Sequence, residues 1–142
     1  MRPEDHLSPR PDWLLRFEPE TWIRRGLAEL AQAEARLKQH DRFAGVLGLQ
    51  RAAGMALNGA LSVVFRPWGR TYLDHLRAIR SDQAVPPAVR EAAELLTGVA
   101  IERQPGVVRL TPPSESERWV EAAKTIMAHA YAIVHGQAGR TS

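Results

Sequence analysis

At 142 residues, with 44% hydrophobic and 25% charged content, the chain has the composition of an ordinary soluble globular protein, long enough for one domain with a sizeable core. Cysteine is absent, which excludes disulfides, thiolate zinc sites and a cysteine nucleophile. The net charge is only +3 with a pI near 9.9, and every basic residue except Lys38 and Lys124 is arginine, as a genome rich in G and C would encode, so the location of the arginines carries more than their number.

The start, MRPEDHLSPRPDW, is proline-rich and charged, without the apolar core of a signal peptide. Residues 1–18 form an arm in which Pro3, Pro9 and Pro11 oppose helix, while Trp13, Leu14, Leu15 and Phe17 are too apolar to stay in water. The arm must dock, either on the chain's own helices or on a second subunit. A first helix opens at Pro19, a residue favoured at the first helical position, and runs to about His40 with Trp22, Ile23, Leu27, Leu30 and Leu37 as its apolar face.

Asp41 is the N-cap of a second helix that Pro67 and Gly69 end after Phe65. Its stretch Phe43 to Phe65 is long, largely apolar and nearly uncharged, which predicts a buried helix. Phe43, Val46, Leu47, Ala53, Leu57, Leu61 and Val64 recur at helical spacing, and Gln50 falls on the same stripe, where its amide needs a partner. Gln50, Arg51 and Asn58 interrupt the run and make it a weak membrane span, so no membrane association is expected and the cytoplasm is the default compartment. Gly45, Gly48, Gly54 and Gly59 narrow this helix and predict close packing, within the fold or across a dimer.

Thr71 and Asp74 have capping-box spacing and open a short helix to about Ser81. Pro86 and Pro87 start a further helix with Val89, Ala92, Ala93, Leu96 and Val99 facing inward. Glu102 to Pro113 reads as a loop with a short extended piece at Val107 and Val108. Ser114 and Glu117 form a second capping box before a closing helix carrying Trp119, Ala123, Ile126, Met127, Ala130, Ile133 and Val134, and the tail 136–142 should fray. These elements sum to an all-α, antiparallel up-and-down four-helix bundle with one short extra helix, spanning residues 19–135.

The order of parts resembles the HEPN family of small helical bundles, which includes the helical partners of minimal nucleotidyltransferases. The likeness rests on Trp22, Leu30 and Ala33-Glu34 in the first helix and on Gln50-Arg51-Ala52-Ala53 with Ala56-Leu57 and Ala60-Leu61 in the second. Thr71-Tyr72-Leu73-Asp74-His75-Leu76 is similar to the family's threonine-histidine-aspartate-leucine segment, and Arg103-Gln104-Pro105 stands where many members have arginine, an aromatic and proline. Gly54, Met55 and Asn58 replace the glutamate and lysine that many members carry, so that ionic face is missing.

The resemblance implies a homodimer that binds nucleotide or RNA, or that partners a small nucleotidyltransferase. Arg51, Arg70, His75 and Arg103 are then the expected binding surface. Arg66, Arg70, Arg77 and Arg80 also cluster in and after the turn that follows the second helix, and a local basic patch can hold phosphate. Two other readings stand beside this one. Catalytic HEPN members that cleave RNA pair an arginine with a histidine four to six residues later, a spacing met by Arg70 and His75; the guanidinium would grip the phosphate and the imidazole would move a proton, without metal. Alternatively the protein is a scaffold that binds only protein. His75 as a helix-surface histidine, Gln50 as a core amide and Trp22 and Trp119 as core residues are the plainer assignments. His129 and His135 lie on different helix faces with no carboxylate pair at ligand spacing, no P-loop or GxGxxG is present, and neither a metal nor another cofactor is expected.

Overall fold

A computed structural model describes residues 11–99 and 113–140, with the backbone alone for 137–140. The described residues are all-helical: a 3-10 turn at Leu14–Arg16, then α1 (Pro19–Lys38), α2 (Arg42–Val63), α3 (Tyr72–Ile79), α4 (Pro87–Thr97) and α5 (Pro113–Arg140), with no strand among them. Arg103 and the extended piece at Val107 and Val108 lie outside the described residues, as does the arm before Pro11.

The glutamine-bearing α2 is the buried centre, touching the 3-10 turn and all four other α-helices. Apolar or small side chains surround it on nearly every side, which is why it can be enclosed by neighbours rather than lie on a surface. Val46, Leu49, Leu57 and Leu61 meet Leu30, Leu76, Leu96 and Ile126 in one continuous core. Gln50 lies in that core and satisfies its amide by donating from Nε2 to the Leu96 carbonyl on α4 at 3.0 Å.

α1 runs antiparallel to α2 at close range. A Cβ at Gly26 would stand 2.9 Å from the Ala52 carbonyl oxygen, and one at Gly48 would stand 2.9 Å from the Ala33 Cβ. The close approach expected of the α2 glycines is thus made inside the chain, with Gly54 the exception in facing α3 instead of α1. α5 is also antiparallel to α1, joined by Glu20 to His135 at 3.5 Å and by Glu34 to Lys124 at 4.0 Å.

The helix ends follow local chemistry. Asp41 caps α2 by accepting from the Ala44 N–H at 3.1 Å. At Thr71 the capping box is complete, since Thr71 Oγ1 accepts from the Asp74 N–H at 3.0 Å and Asp74 Oδ2 accepts from the Thr71 N–H at 3.2 Å. These bonds hold the Asp74 carboxyl below its ordinary range, the Thr71 backbone contact being the largest cause.

Several expectations need correction. Leu27 is not core but 51% exposed, because it sits on the flank of α1 in step with Glu20 and Glu34. α5 is helical from Pro113, so Ser114 lies within its first turn and not at a cap. The same helix continues to Arg140, past the tail boundary set at Gly136, because glycine lowers helix propensity without forbidding helix.

α1 also ends earlier than expected, at Lys38, and closes with the Asp41 N–H donating to the Arg36 carbonyl and the His40 N–H to the Leu37 carbonyl. This pair of bonds places His40 in the left-handed region, at φ 62°. Glycine adopts that conformation without Cβ strain. His40→Gly is expected to stabilise the fold by about 1 kcal/mol, read as a raised midpoint in urea denaturation; a lowered midpoint would mean that the imidazole contributes more than the strain costs.

Candidate functional site

The arm residues 11–18 dock on their own chain. Leu14 is fully buried, and its carbonyl accepts a 3.0 Å hydrogen bond from Trp22 Nε1 on α1. Trp13 stacks on the His75 ring with centroids 6.0 Å apart, and Phe17 meets Trp22 edge-on at 4.8 Å. Arg25 lies over the Phe17 ring at 4.0 Å, a cation–π contact that ties the arm to α1.

The segment between α2 and α3 is fastened as firmly. Trp68 is buried, donates from Nε1 to Asp82 Oδ2 at 3.1 Å, and presents its carbonyl to His75. Bonds from the Ala84 N–H and then from Trp68 hold the Asp82 carboxyl below its usual range. Gly69 turns the chain with φ 78°, where a Cβ would meet the Asp74 Cβ at 2.6 Å. Arg70 is thereby fixed one residue before the cap of α3.

Between the docked arm and the start of α3 lies a cleft of about 340 Å³, lined by Trp13, Arg16, Trp22, Asn58, Arg70, Thr71 and Tyr72. Tyr72 seats in the notch left by Gly54 on α2. Burial, and next the Glu29 carboxylate, push its phenol pKa up, while Arg51, Arg16 and Arg25 pull it down. Several guanidinium groups are thus within electrostatic reach of one aromatic ring. A concave, largely apolar space rimmed by cations suits a small flat anion.

His75 is not the helix-surface residue expected but stands behind this cleft, because the segment before α3 and the docked arm close over its ring. It is 0% exposed, its Nδ1 lies 2.9 Å from the Trp68 carbonyl oxygen, and its Nε2 lies 2.7 Å from Asn58 Oδ1. Burial pushes its pKa below the ordinary histidine value, against the opposing effect of the Trp68 contact. Both neighbouring atoms are oxygens, and a neutral imidazole satisfies both when the Asn58 amide is turned over, so that Nδ1–H donates to Trp68 and Nε2 accepts from Asn58 Nδ2 in place of Oδ1. The Asn58 side chain, 1% exposed, also lines the cleft. With both nitrogens engaged, His75 has none to offer a substrate in this conformation.

Of the residues expected to gather, Arg70 lines the cleft and His75 sits beneath it through Asn58. Arg51 is beside Tyr72, ion-paired to Glu29 at 3.0 Å. Arg103 is outside the described residues. Sequence reasoning missed Arg16, Trp13, Tyr72 and Asn58 as cleft residues. Trp13 and Arg16 belong to an arm whose landing place no local pattern gives; the polar Asn58 inside an apolar helix is the usable signal. Comparison with protein-family models, with curated proteins and with solved structures gives no match.

Proposed function

We propose that the protein is a HEPN-like four-helix bundle that binds a single nucleotide, free or at an unpaired position of RNA, in the cleft between the arm and α3, without acting on it chemically. The observation that carries this reading is the cleft itself, which brings Arg16 and Arg70 together with Trp13 and Tyr72 around the Asn58 amide. The aromatic rings offer stacking faces for a base, and the two guanidinium groups suit its phosphate. A space of about 340 Å³ is at the small end of ligand pockets and accommodates one nucleotide, not a duplex. The enclosed state of His75 supports binding in preference to ribonuclease chemistry.

Titration with the four nucleoside monophosphates and with a short single-stranded RNA, at two salt concentrations, tests the proposal. Arg70→Ala and Arg16→Ala are each expected to weaken binding by roughly tenfold and to reduce the salt slope by about one. Saturable binding that neither substitution changes, or no binding of any nucleotide, would remove the cleft from consideration.

A further inference from the structure

One wall of the cleft is not part of the helical bundle. Trp13 and Arg16 come from the arm, while Trp22, Asn58, Arg70, Thr71 and Tyr72 come from α1, α2 and the entry to α3. The backbone bonds of the arm stay within it, from the Leu14 N–H to the Pro11 carbonyl at 2.9 Å and from the Leu15 N–H to the Asp12 carbonyl at 3.1 Å. Side chains fasten it to the bundle: the buried Leu14, the Trp13 and Phe17 ring contacts, Arg25 over Phe17, and the Trp22 indole donating to the Leu14 carbonyl. A single turn of 3-10 helix does not hold itself together in water, so these contacts alone order the arm. Phe17 and Glu18 join it to α1 in extended conformation, and Glu18 caps α1 without a side-chain hydrogen bond, so the arm can lift without unwinding the helix.

Docking carries a charge cost that an anion would remove. It sets the Arg16 guanidinium among cations: Arg51, Arg16 and Arg25 all act on the Tyr72 phenol, and Arg70 lines the same cleft. Neither Arg16 nor Arg70 has a carboxylate partner for its side chain among the described residues. The carboxylates nearby are engaged, Glu29 with Arg51 at 3.0 Å and Asp74 with the Thr71 and Arg70 N–H groups at the cap of α3. Asp12 and Glu18, in the arm itself, line no part of the cleft. An anion seated between Arg16 and Arg70 replaces repulsion with attraction to both walls, and so favours the docked arm over a released one. We propose that residues 11–18 are an anion-linked strap, which exchanges between a docked and a released state and is drawn down when a phosphate-bearing ligand bridges Arg16 and Arg70. The strap rests on the nucleotide reading for the identity of its ligand, but its release occurs with no ligand present.

Hydrogen exchange of the full chain, followed by NMR, measures the release. The Trp22 indole N–H and the Leu14 amide N–H report the arm, and the Trp68 indole N–H, bonded to Asp82, reports the bundle. Without ligand, the two arm protons are expected to show protection at least about tenfold below that of Trp68. Leu14→Ala should lower their protection at least about tenfold further and leave Trp68 unchanged. Arg16→Gln should raise it about threefold, because it removes the repelled charge. Each nucleoside monophosphate, and inorganic phosphate separately, is then added at matched ionic strength. A saturating nucleotide should raise Leu14 protection at least about tenfold in the wild type and much less in Arg16→Gln. Leu14 lines no part of the cleft, so its protection reads docking and not contact with the ligand. Equal protection at Trp22 and Trp68, an Arg16→Gln arm no better protected than wild type, or no rise with any of these anions would overturn the strap. Nucleotide binding seen by calorimetry with Leu14 exchange unchanged would also overturn it, while leaving the nucleotide reading in place. Closure by inorganic phosphate that no nucleotide exceeds would keep the strap and remove the nucleotide reading.

Discussion

His75→Ala is expected to destabilise the protein by roughly 3 kcal/mol, a large share of the 5–15 kcal/mol typical of a domain. The substitution removes two hydrogen bonds at once and leaves the Trp68 carbonyl and the Asn58 amide facing a cavity in the core. It also takes away the ring on which Trp13 stacks, so the arm loses part of its seat. Chemical denaturation measures the loss directly. Asn58→Leu should cost a comparable amount by stranding the second imidazole nitrogen, while the Asn58→Leu, His75→Leu pair should cost less than the sum of the single losses. Strict additivity would show that the two side chains do not depend on each other.

The same histidine gives the stability a pH dependence. Burial holds the folded imidazole below its ordinary 6.5, so between those two values the unfolded chain binds a proton that the folded chain refuses. Stability therefore falls as pH drops through 6.5 and levels off once the folded ring is also protonated. Burial lowers the His129 value too, and that residue adds to the loss in the same direction. Midpoints measured from neutral to mildly acidic pH should decline more steeply in the wild type than in His75→Gln, which keeps the His129 contribution but loses that of His75. Parallel declines would assign the acid sensitivity elsewhere.

Gly26→Val should destabilise by about 3 kcal/mol, because the α1–α2 contact there is backbone against side-chain position. A Cβ at this position meets the Ala52 carbonyl oxygen at 2.9 Å and the Met127 methyl at 3.3 Å. The methionine can swing away, but the carbonyl belongs to a helix that touches every other helix and can yield only by shifting it. Gly26→Ala sets two effects in opposition: alanine favours helix by about 1 kcal/mol over glycine, and the clash opposes it by a larger amount. The net loss expected is about 1 kcal/mol. Gly136 is the control, since a Cβ there meets nothing within 4 Å. Gly136→Ala should leave stability unchanged or raise it by a few tenths of a kcal/mol. Equal effects at the two positions would mean that close packing is not what Gly26 provides.

Much of this architecture was legible before the coordinates. The capping signals at Asp41 and Thr71 act over a few residues, through a side chain and the backbone beside it, so reading them required no knowledge of the rest of the chain. The burial of α2 was legible because a helix apolar on all sides has no stable place at a surface. Gln50 announced its need for a partner, though not that the Leu96 carbonyl would meet it. Periodicity misplaced Leu27, since the width of a buried stripe depends on how neighbouring helices lie against it. Arg70 was legible as a turn cation and His75 as a residue beside a capping box, but its expected place on the helix surface was wrong, since the neighbours that bury it, Asn58 and Trp13, are far from it in sequence.

The sequence by itself determined the helices, their order and the buried character of α2, because propensity, capping and hydrophobic period are local quantities carried by neighbouring residues. Only the tertiary structure decided that the arm folds back on its own chain, that His75 is enclosed with Asn58 and Trp68, and that Arg16 and Arg70 share one cleft with Trp13 and Tyr72. These contacts join residues distant along the chain, and the free energy that selects them comes from shape and solvent exclusion at the assembled surfaces, which no short window of sequence contains.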